Sequence, residues 1–552
     1  MNDTTTEKET RQESPGGFLG TIEKIGNKLP DPFWLFVILA GLVAISSWIG
    51  SMVGMQAEDP ETGEPVYVES LLTGENISRM VTDAVENFTS FPPLGVILAV
   101  MLGVAVAEQS GLLSALVRAM VARVKPGMLT FVVALAGVTG SVASDAIYVI
   151  LIPLGAMAFH AVGRSPIVGA MVAFAASSAG FNASLILNIT DLLLAGISTP
   201  AAQMVDENYE VSPLANIFFV IPSAIVLSLI ITAVTEFFIK DKAQELVDHD
   251  KINYEEVSFS NAQGGNNEEV EDAPKGSATA AEESDYDFAD DEEAMKLKPY
   301  EVKALTASGI ALLIFLAGFF ALLFIPASPL SGPDGEFMES PLITAIAVPI
   351  ALAFLTVGIV YGVVANTITE AADVPDFMAK GIKTLVPMLV LFFAVAQFLA
   401  WFEWSNLGVW TAIKGSELLQ AWDLPPLLMF AGLVLMVALL NLFITSGSAQ
   451  WALMAPVIVP MMMYVGTSPE VSQMLFRIGD SPTNIITPMS PYFALALTFL
   501  QRYYKRAGVG TLMSLALPYS ISMLVGWFIF FAIWYLIGIP LGPGSPMDYP
   551  AS

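Results

Sequence analysis

The chain has 552 residues, of which 55% are hydrophobic and 14% are charged. Because a soluble protein has no core large enough to hide so much apolar surface, this composition predicts an all-α polytopic membrane protein. The sequence has no cysteine, two histidines and a formal net charge of −29. These features argue against disulfides, against a zinc or haem centre and against nucleic-acid binding.

The N-terminal segment, residues 1–30, is polar and lacks the apolar core of a removable signal peptide, so we expect it to stay in the cytoplasm. Residues 33–53 predict the first transmembrane helix, because about 20 apolar residues match a hydrocarbon core of roughly 30 Å. A second span is predicted from Phe91 to about Val117. It ends at three basic residues, Arg118, Arg123 and Lys125. Basic residues mark the cytoplasmic side, which places the N-terminus inside.

The rest of the first membrane repeat, residues 31–239, contains two interrupted apolar runs. The run from about 126 to 163 is broken by small and polar residues before Asp145, which predicts a re-entrant hairpin, hairpin one. The next run, 167–197, is interrupted near Asn182 and predicts a broken helix. Helix breaks at this depth are tolerated where protein or a water-filled cavity satisfies the backbone.

A polar segment, residues 240–300, separates the two halves. Between positions 241 and 300 it has 18 acidic and five basic residues, and such a composition cannot bury enough apolar surface to fold alone. We expect a disordered, acidic cytoplasmic linker. Two interpretations of its charge stay open: an ordinary solvated loop, or a surface adapted to high salt.

The second membrane repeat, residues 301–539, has the same plan as the first. It contains hairpin two at about 424–466 and a broken helix at 471–500, and a short external tail, 540–552, follows. With an offset of 303 residues, Pro153 aligns with Pro456 and Pro166 with Pro469. Since the two hairpins are entered from opposite sides, this is the pattern of an inverted repeat in a secondary transporter with its site at the midplane.

Arg477 and Asp480 are charged residues inside the second broken helix, and such residues are usually retained for function. A guanidinium can bind a carboxylate through two parallel hydrogen bonds, so Arg477 is predicted to bind an anionic substrate. The alternative is a mutually neutralising pair with Asp480. Asp480 and Asn441 offer hard oxygen ligands that suit Na⁺ as a coupling ion, although burial could instead make Asp480 a proton carrier.

Further candidates lie at the hairpin tips and helix breaks. Ser446 and Ser448 supply hydroxyl groups where the backbones approach closely, and Trp451 is placed either to stack on an aromatic substrate or to pack. In the first half, Asp145 and Asp191 occupy the equivalent places, as ligands or as helix caps. The secondary candidates are Ser144, Asp145, Asn182, Asn188 and Asn484.

Three runs in the second half, Ser446–Trp451, Thr467–Pro469 and Arg477–Asn484, together with Gly140–Asp145, resemble the AbgT family of p-aminobenzoyl-glutamate transporters. The resemblance implies a homodimer with nine transmembrane helices and two opposed hairpins per subunit, divided into a scaffold and a transport core. It also implies transport of p-aminobenzoyl-glutamate and, in some members, export of sulfonamide antimetabolites.

Carried over residue by residue, the resemblance assigns several positions. Trp451, Pro469, Arg477 and Asp480 fall on substrate-pathway positions, Asn441 with Asp480 on sodium-site positions, and Asp191 on a less sharply matched substrate position. The long acidic linker departs from the family pattern.

We therefore expect an ion-coupled secondary transporter in the inner or cytoplasmic membrane, driven by Na⁺ or H⁺. A sodium-coupled carrier of small dicarboxylates and a passive channel are the rival hypotheses. An enzyme is disfavoured because no nucleophile triad, catalytic carboxylate pair or metal cluster is legible in the sequence.

Overall fold

The computed structural model describes residues 30–58, 60, 63–121, 124–143, 146–245, 297–325, 328–333, 340–504 and 507–550. All but the last residue of the predicted N-terminal segment, almost all of the predicted linker and the tip of hairpin one, with Ser144 and Asp145, lie outside these ranges.

The first half is helical apart from one small β-hairpin. Its elements are, in chain order, α1 (Pro32–Val53), β1 (Gln56–Glu58), β2 (Pro65–Tyr67), α2 (Gly74–Thr82), α3 (Ala84–Thr89), α4 (Pro92–Gln109), α5 (Leu112–Val121), α6 (Leu129–Thr139), a 3₁₀ turn (Gly140–Ala143), α7 (Ala146–Ala161), α8 (Pro166–Phe174), a π-helical turn (Ala175–Ala179), α9 (Ile189–Ala202), α10 (Ile217–Val234) and α11 (Lys240–Glu245). The two strands pair antiparallel, with Ala57 opposite Val66.

The named elements of the second half are all helical. Its elements are α12 (Pro299–Phe324), α13 (Pro341–Thr344), α14 (Ala347–Ala365), α15 (Asp373–Thr384), α16 (Val386–Trp404), α17 (Leu407–Trp422), α18 (Pro426–Asn441), α19 (Gly447–Tyr464), α20 (Pro469–Asp480), a 3₁₀ turn (Ser481–Ile486), α21 (Pro491–Tyr503) and α22 (Val509–Ile537).

Within the described residues, seven helices are long and apolar enough to cross a membrane, and a bent pair that begins with α5 would raise the number to eight. The multi-pass character predicted from composition is confirmed, whereas the count of nine stays a prediction. The expected single span from Phe91 to Val117 is wrong: α4 ends at Gln109 and α5 begins at Leu112. Gly111 has a φ of +89° between them, a conformation that ends a helix because it suits glycine and few other residues.

Both predicted hairpins correspond to pairs of helices, α6 with α7 and α18 with α19. Both predicted broken helices are also interrupted: α8 passes into a π-helical turn before α9, and α20 into a 3₁₀ turn before α21. The path of each hairpin through the bilayer, including its re-entrant course, stays a prediction.

The two helix breaks meet in the interior. The π-helical turn of the first half packs against the 3₁₀ turn of the second, and the backbone N–H of Asn182 donates to Ser481 Oγ at 3.0 Å. All residues of α20 are buried. Because polar backbone at this depth needs partners from the protein, the contact between the breaks stabilises both.

Gly479 allows α20 to pack closely against α18. A Cβ atom at this position would lie 2.6 Å from Val437 Cβ and 2.7 Å from the carbonyl oxygen of Val434, both closer than van der Waals contact. We expect Gly479→Ala to lower the free energy of unfolding by about 1–3 kcal/mol, because the two helices must separate. The midpoint of thermal unfolding of the purified protein in detergent measures this effect.

Gly432→Ala is the matched control, because a Cβ at this exposed position of α18 meets no atom within 4 Å. It should leave the unfolding midpoint unchanged or raise it slightly, since alanine favours the helix over glycine. Equal midpoints for the two variants would contradict the close approach at Gly479.

Candidate functional site

A cavity of about 450 Å³ lies between the two halves of the chain. The first half contributes polar side chains from the region of hairpin one and its broken helix, and the second half contributes the tip of hairpin two and the second break. The polar residues that line it are Glu108, Ser141, Tyr148, Ser178, Asn182, Thr190, Thr384, Thr445, Ser446, Ser448, Asp480, Asn484, Ser490 and Tyr492. Of the predicted site residues, Asn182, Ser446, Ser448, Asp480 and Asn484 therefore reach the cavity.

Three helices begin at the cavity wall. Ile189 and Thr190 start α9, Ser446 precedes α19, and Ser490 precedes α21. The first turns of a helix present unpaired backbone N–H groups and the positive end of the helix dipole. Their convergence on one cavity favours a negatively charged ligand.

The side chains that cap two of these helices are predicted site residues. Asn188 and Asp191 form a capping box at the start of α9, with the Asn188 side chain accepting from the Asp191 N–H and the Asp191 side chain accepting from the Asn188 N–H. Ser446 Oγ accepts from the Ala449 N–H at the start of α19. Asn188 Nδ2 also donates to Ser141 Oγ at 3.3 Å, which ties α9 to hairpin one.

Asp480 is buried where the two helix breaks meet. Its Oδ2 accepts a hydrogen bond of 2.8 Å from Asn182 Nδ2, whereas its Oδ1 has no hydrogen-bond partner in the described structure. A Cβ at Gly447 would lie 3.3 Å from Oδ2, so the first residue of α19 passes close to this carboxylate. Glycine at this position leaves room for the carboxylate beside the helix N-terminus.

Asn441, at the C-terminal end of α18, contacts the second break. Its Nδ2 lies 2.7 Å from the carbonyl oxygen of Asp480, 2.8 Å from Thr483 Oγ1 and 2.9 Å from Asn484 Oδ1. The Asn441 Oδ1 has no partner among the residues that the structure describes. A buried acceptor without a donor is costly, and this oxygen and Asp480 Oδ1 are both hard ligands of the type that an alkali cation accepts. The residues present thus fit a sodium ion by donor chemistry.

Transition metals are usually bound by several His, Cys, Asp or Glu side chains. Across the described ranges, no three such side chains come together in a group that could hold a metal ion.

Arg477 lies behind the cavity wall and does not line it. Its Nη1 forms an ion pair of 2.6 Å with Asp191 Oδ1, and the two side chains are 1% and 5% exposed. The same nitrogen lies 3.4 Å from the carbonyl oxygen of Asn182. The ion pair predicted as an alternative, between Arg477 and Asp480, is therefore replaced by one that joins the two halves. Direct binding of a substrate carboxylate by Arg477 stays a prediction.

Trp451 and Pro469 do not line the cavity either. The Trp451 side chain is fully buried, its Nε1 donates to Ser198 Oγ at 3.0 Å, and its ring lies 4.7 Å from that of Phe476 between centroids. Pro469 begins α20, and Asp480, which reaches the cavity, ends it. Their predicted contacts with substrate stay predictions.

A chain of hydrogen bonds connects Trp451 to the far end of α20. Ser198 Oγ donates to Gln473 Oε1 at 2.8 Å, and Gln473 Nε2 donates to Asn216 Oδ1 at 2.9 Å. Asn216 Nδ2 donates in turn to the carbonyl oxygen of Glu470 at 3.0 Å. The tryptophan is thus positioned by a polar network that crosses between the halves.

Tyr209, in the loop between α9 and α10, extends this network. Burial and the charge of the neighbouring Glu470 carboxylate raise the pKa of the Tyr209 hydroxyl, which stays protonated. It donates to Glu470 Oε2 at 2.9 Å.

The aromatic surface of the cavity comes from residues that sequence reasoning missed. Tyr148 on α7 and Tyr492 on α21 stack with ring centroids 3.9 Å apart and an interplanar angle of 3°. The same offset of 303 aligns Tyr148 with Trp451, so the internal repeat in the sequence pointed to Tyr148 as a candidate. Tyr492 has no such signal, because the pairing depends on how α7 and α21 pack.

Comparisons with known proteins agree with one another. The model of the AbgT transporter family matches residues 17–264 and 273–549. The p-aminobenzoyl-glutamate transport protein of Escherichia coli (strain K12) is 36% identical over 531 residues, which are 96% of this chain and 96% of that protein.

Two solved structures are similar over nearly the whole chain. The YdaH transporter of Alcanivorax borkumensis is 38% identical, with a TM-score of 0.81 over 93% of this chain and 100% of that one. MtrF of Neisseria gonorrhoeae is 38% identical, with a TM-score of 0.84 over 96% of this chain and 100% of that one. MtrF represents a class of antimetabolite efflux pumps.

Proposed function

The chain belongs to the AbgT family of transporters, and from this premise we propose that it is an ion-coupled secondary transporter of p-aminobenzoyl-glutamate and related aromatic carboxylates. It is a multi-pass membrane transporter and not an enzyme. The observation that carries the substrate proposal is the cavity between the two halves, which joins three helix N-termini to a stacked tyrosine pair.

In this conformation the described lining of the cavity offers the anionic end of the substrate helix N-termini, while binding by Arg477 stays a prediction. None of the described residues that line the cavity is Lys, Arg or His, so its attraction for carboxylates comes from the backbone N–H groups at the starts of α9, α19 and α21. The hydroxyl groups of Ser446, Ser448 and Ser490 add hydrogen-bond donors at the same helix starts.

The aromatic ring of the substrate packs on the tyrosine pair. Aromatic rings favour offset-stacked or edge-to-face contacts with other rings, and Tyr148 and Tyr492 present such a surface to the cavity. Phe181 and Phe476 line the same space. A small dicarboxylate has no aromatic ring and could not stack on these four rings.

The coupling ion in this proposal is Na⁺, held by Asp480 and Asn441, with H⁺ on Asp480 as the other candidate. The support is chemical: a buried carboxylate oxygen and a buried amide oxygen lack hydrogen-bond donors in the described structure. A bound sodium ion would neutralise Asp480 beside the anionic substrate.

Export of sulfonamide antimetabolites is proposed as a second mode, because MtrF belongs to a class of antimetabolite efflux pumps. Sulfonamides share the aminobenzene portion of p-aminobenzoyl-glutamate and would use the same tyrosine pair. We further propose a homodimer in the cell membrane with the N-terminus in the cytoplasm.

The test is transport in proteoliposomes of purified protein, with a sodium gradient and a pH gradient imposed separately. Accumulation of labelled p-aminobenzoyl-glutamate driven by either gradient supports ion coupling and names the ion. Equilibration without accumulation would indicate a passive channel, and competition by succinate as strong as that by p-aminobenzoyl-glutamate would indicate a dicarboxylate carrier.

Tyr492→Ala should weaken binding of p-aminobenzoyl-glutamate by about tenfold, because it removes one ring of the pair and stacking contributes roughly 0.5–1.5 kcal/mol beyond area burial. The measurement is the apparent affinity in a competition transport assay. Tyr492→Phe is the control and should keep most of the affinity, since it retains the ring. Unchanged affinity in Tyr492→Ala would remove the tyrosine pair from substrate binding.

A further inference from the structure

Three buried side-chain oxygens near hairpin two lack a hydrogen-bond partner in the described structure. Two of them, Asn441 Oδ1 and Asp480 Oδ1, belong to the proposed ion site. The third is Oε1 of Gln450, a fully buried residue of α19 that has no part in the proposed binding of substrate or of sodium. A buried acceptor without a donor is costly, because it has lost its hydrogen bonds to water, and therefore needs an explanation.

The Gln450 amide group has a defined orientation. Its Nε2 donates to the carbonyl oxygen of Val437 at 2.9 Å and lies 3.9 Å from the sulfur of Met454. A carbonyl oxygen only accepts hydrogen bonds, so exchanging the amide nitrogen and oxygen would set two acceptors against each other. Gln450 therefore uses its nitrogen to bind α18 and leaves its oxygen for another partner.

The contact with α18 holds Gln450 near the ion site. Val437, whose carbonyl oxygen accepts from Gln450, lies one turn before Asn441 on the same face of α18. A Cβ at Gly479 would lie 2.6 Å from Val437 Cβ, so this turn of α18 packs directly against the residue before Asp480. The Gln450 amide is thus bound one helical turn from Asn441.

A second contact leads from α19 to the same place. Gly447 begins α19 and lies three positions before Gln450, on the same face of the helix. A Cβ at Gly447 would lie 3.5 Å from Asp480 Oδ1, the carboxylate oxygen without a partner. The helices α18, α19 and α20 therefore each bring an unpaired acceptor oxygen to the region where they meet.

Acceptor oxygens without donors favour a cation. A single water molecule cannot donate to all three, whereas a hard cation takes several carboxylate and amide oxygens as ligands. We propose that Gln450 Oε1 is a third ligand of the coupling cation, beside Asp480 and Asn441, and that ion binding attaches α19 to α18 and α20. This inference rests on the proposed sodium site and adds to it the second arm of hairpin two.

The proposed ligand set includes both arms of the hairpin. Asn441 ends the first arm, α18, and Gln450 lies in the first turn of the second arm, α19. A cation bound to both side chains would hold the arms together at the tip. The next residue after Gln450 is Trp451, so ion occupancy would also fix the start of the helix that positions the tryptophan.

The test is thermal unfolding of the purified protein in detergent, with sodium chloride exchanged for choline chloride at constant ionic strength. Sodium stabilises a protein that binds it once its concentration exceeds the Kd. In Gln450→Met, which keeps the length of the side chain but removes the oxygen, the sodium concentration at which stabilisation begins should rise about tenfold, because one ligand is lost.

Gln397→Met is the matched control. Gln397 is also buried, on α16, but both ends of its amide are paired: Nε2 donates to the carbonyl oxygen of Ala84 at 2.8 Å, and Oε1 accepts from Asn87 Nδ2 at 3.0 Å. This variant should lose stability in both salts by the same amount and keep the sodium dependence of the wild type. It separates the loss of a buried amide from the loss of an ion ligand.

Gln450→Glu tests the same oxygen in the opposite direction and does not depend on the folding of Gln450→Met. The carboxylate keeps an oxygen at this position and adds a charge that a cation can neutralise, so sodium should stabilise this variant more than the wild type. The inference is overturned if Gln450→Met responds to sodium like the wild type, or if Gln450→Glu is destabilised equally in sodium and in choline. A wild type that sodium does not stabilise would instead contradict the proposed sodium site itself.

Discussion

Replacing Arg477 with methionine is expected to abolish transport and to lower the free energy of unfolding by about 3–5 kcal/mol. The reason is Asp191, the ion-pair partner that the substitution leaves behind. Asp191 is 5% exposed in the side chain and forms its ion pair with Arg477 at 2.6 Å, so the substitution leaves a buried carboxylate without a cation. The unpaired charge would also disturb the capping box that begins α9 at the cavity.

The measurement pairs thermal unfolding in detergent with proteoliposome transport. The double variant Arg477→Met with Asp191→Asn should recover most of the unfolding free energy, because no buried charge is left unpaired. If the double variant folds but does not transport, the ion pair between Arg477 and Asp191 is needed for the transport cycle. If transport is restored, the ion pair only stabilises the fold.

Arg79→Met is the matched control for Arg477. Arg79 pairs with Asp83 at 3.3 Å on the surface, with side chains that are 47% and 35% exposed. Its removal should change the unfolding free energy by less than about 1 kcal/mol, since solvent screens such pairs. An Arg477→Met variant as stable as this control would contradict the buried ion pair.

Asp480→Asn is expected to abolish sodium-driven accumulation and, with it, stabilisation of the protein by sodium. An ion that binds only the folded state stabilises it by about 2.7 kcal/mol at a hundredfold excess over its Kd. If Asp480 supplies the charged oxygen of the ion site, Asp480→Asn loses this stabilisation by sodium. The asparagine side chain keeps the shape of aspartate and can still form hydrogen bonds, so the loss reports the missing charge. Unfolding temperatures in sodium and in choline chloride measure the effect without any transport step.

The control for this variant is Glu417→Gln, at an exposed pair with Lys414 on α17, which should respond to sodium like the wild type. Sodium stabilisation that survives in Asp480→Asn would place the ion elsewhere. A wild type that sodium does not stabilise, but whose transport follows a pH gradient, would favour the proton as the coupling ion.

The order of elements was predictable because it follows from the local composition of the sequence. Long apolar runs indicated the spans, and small or polar interruptions at corresponding places in the two halves indicated the helix pairs and broken helices. The family was recognisable from the runs that end at Trp451 and Asn484. These features need no knowledge of how distant segments pack.

The partners of the site residues were not predictable in the same way. Arg477 pairs with a carboxylate 286 positions away rather than with Asp480, three positions along the same helix. Tyr148 stacks on Tyr492 through the packing of α7 and α21. The break after Gln109 depends on a glycine with positive φ inside a run that hydropathy alone joins into one span. Each of these is decided by tertiary contacts or by a single backbone conformation.

The proposed binding of sodium at Asp480, in the cavity that receives the anionic substrate, has an electrical consequence. Fixed side-chain charges return to their starting positions over a complete cycle, so the net charge moved is that of the substrate and of the ions bound with it. A dianion with one sodium ion moves one net negative charge, and an inside-negative membrane potential of 100 mV then favours exit by about 2.3 kcal/mol. With three sodium ions the sign reverses and the same potential drives entry. The number of cations per cycle would therefore decide whether the membrane voltage makes this protein an importer or an exporter.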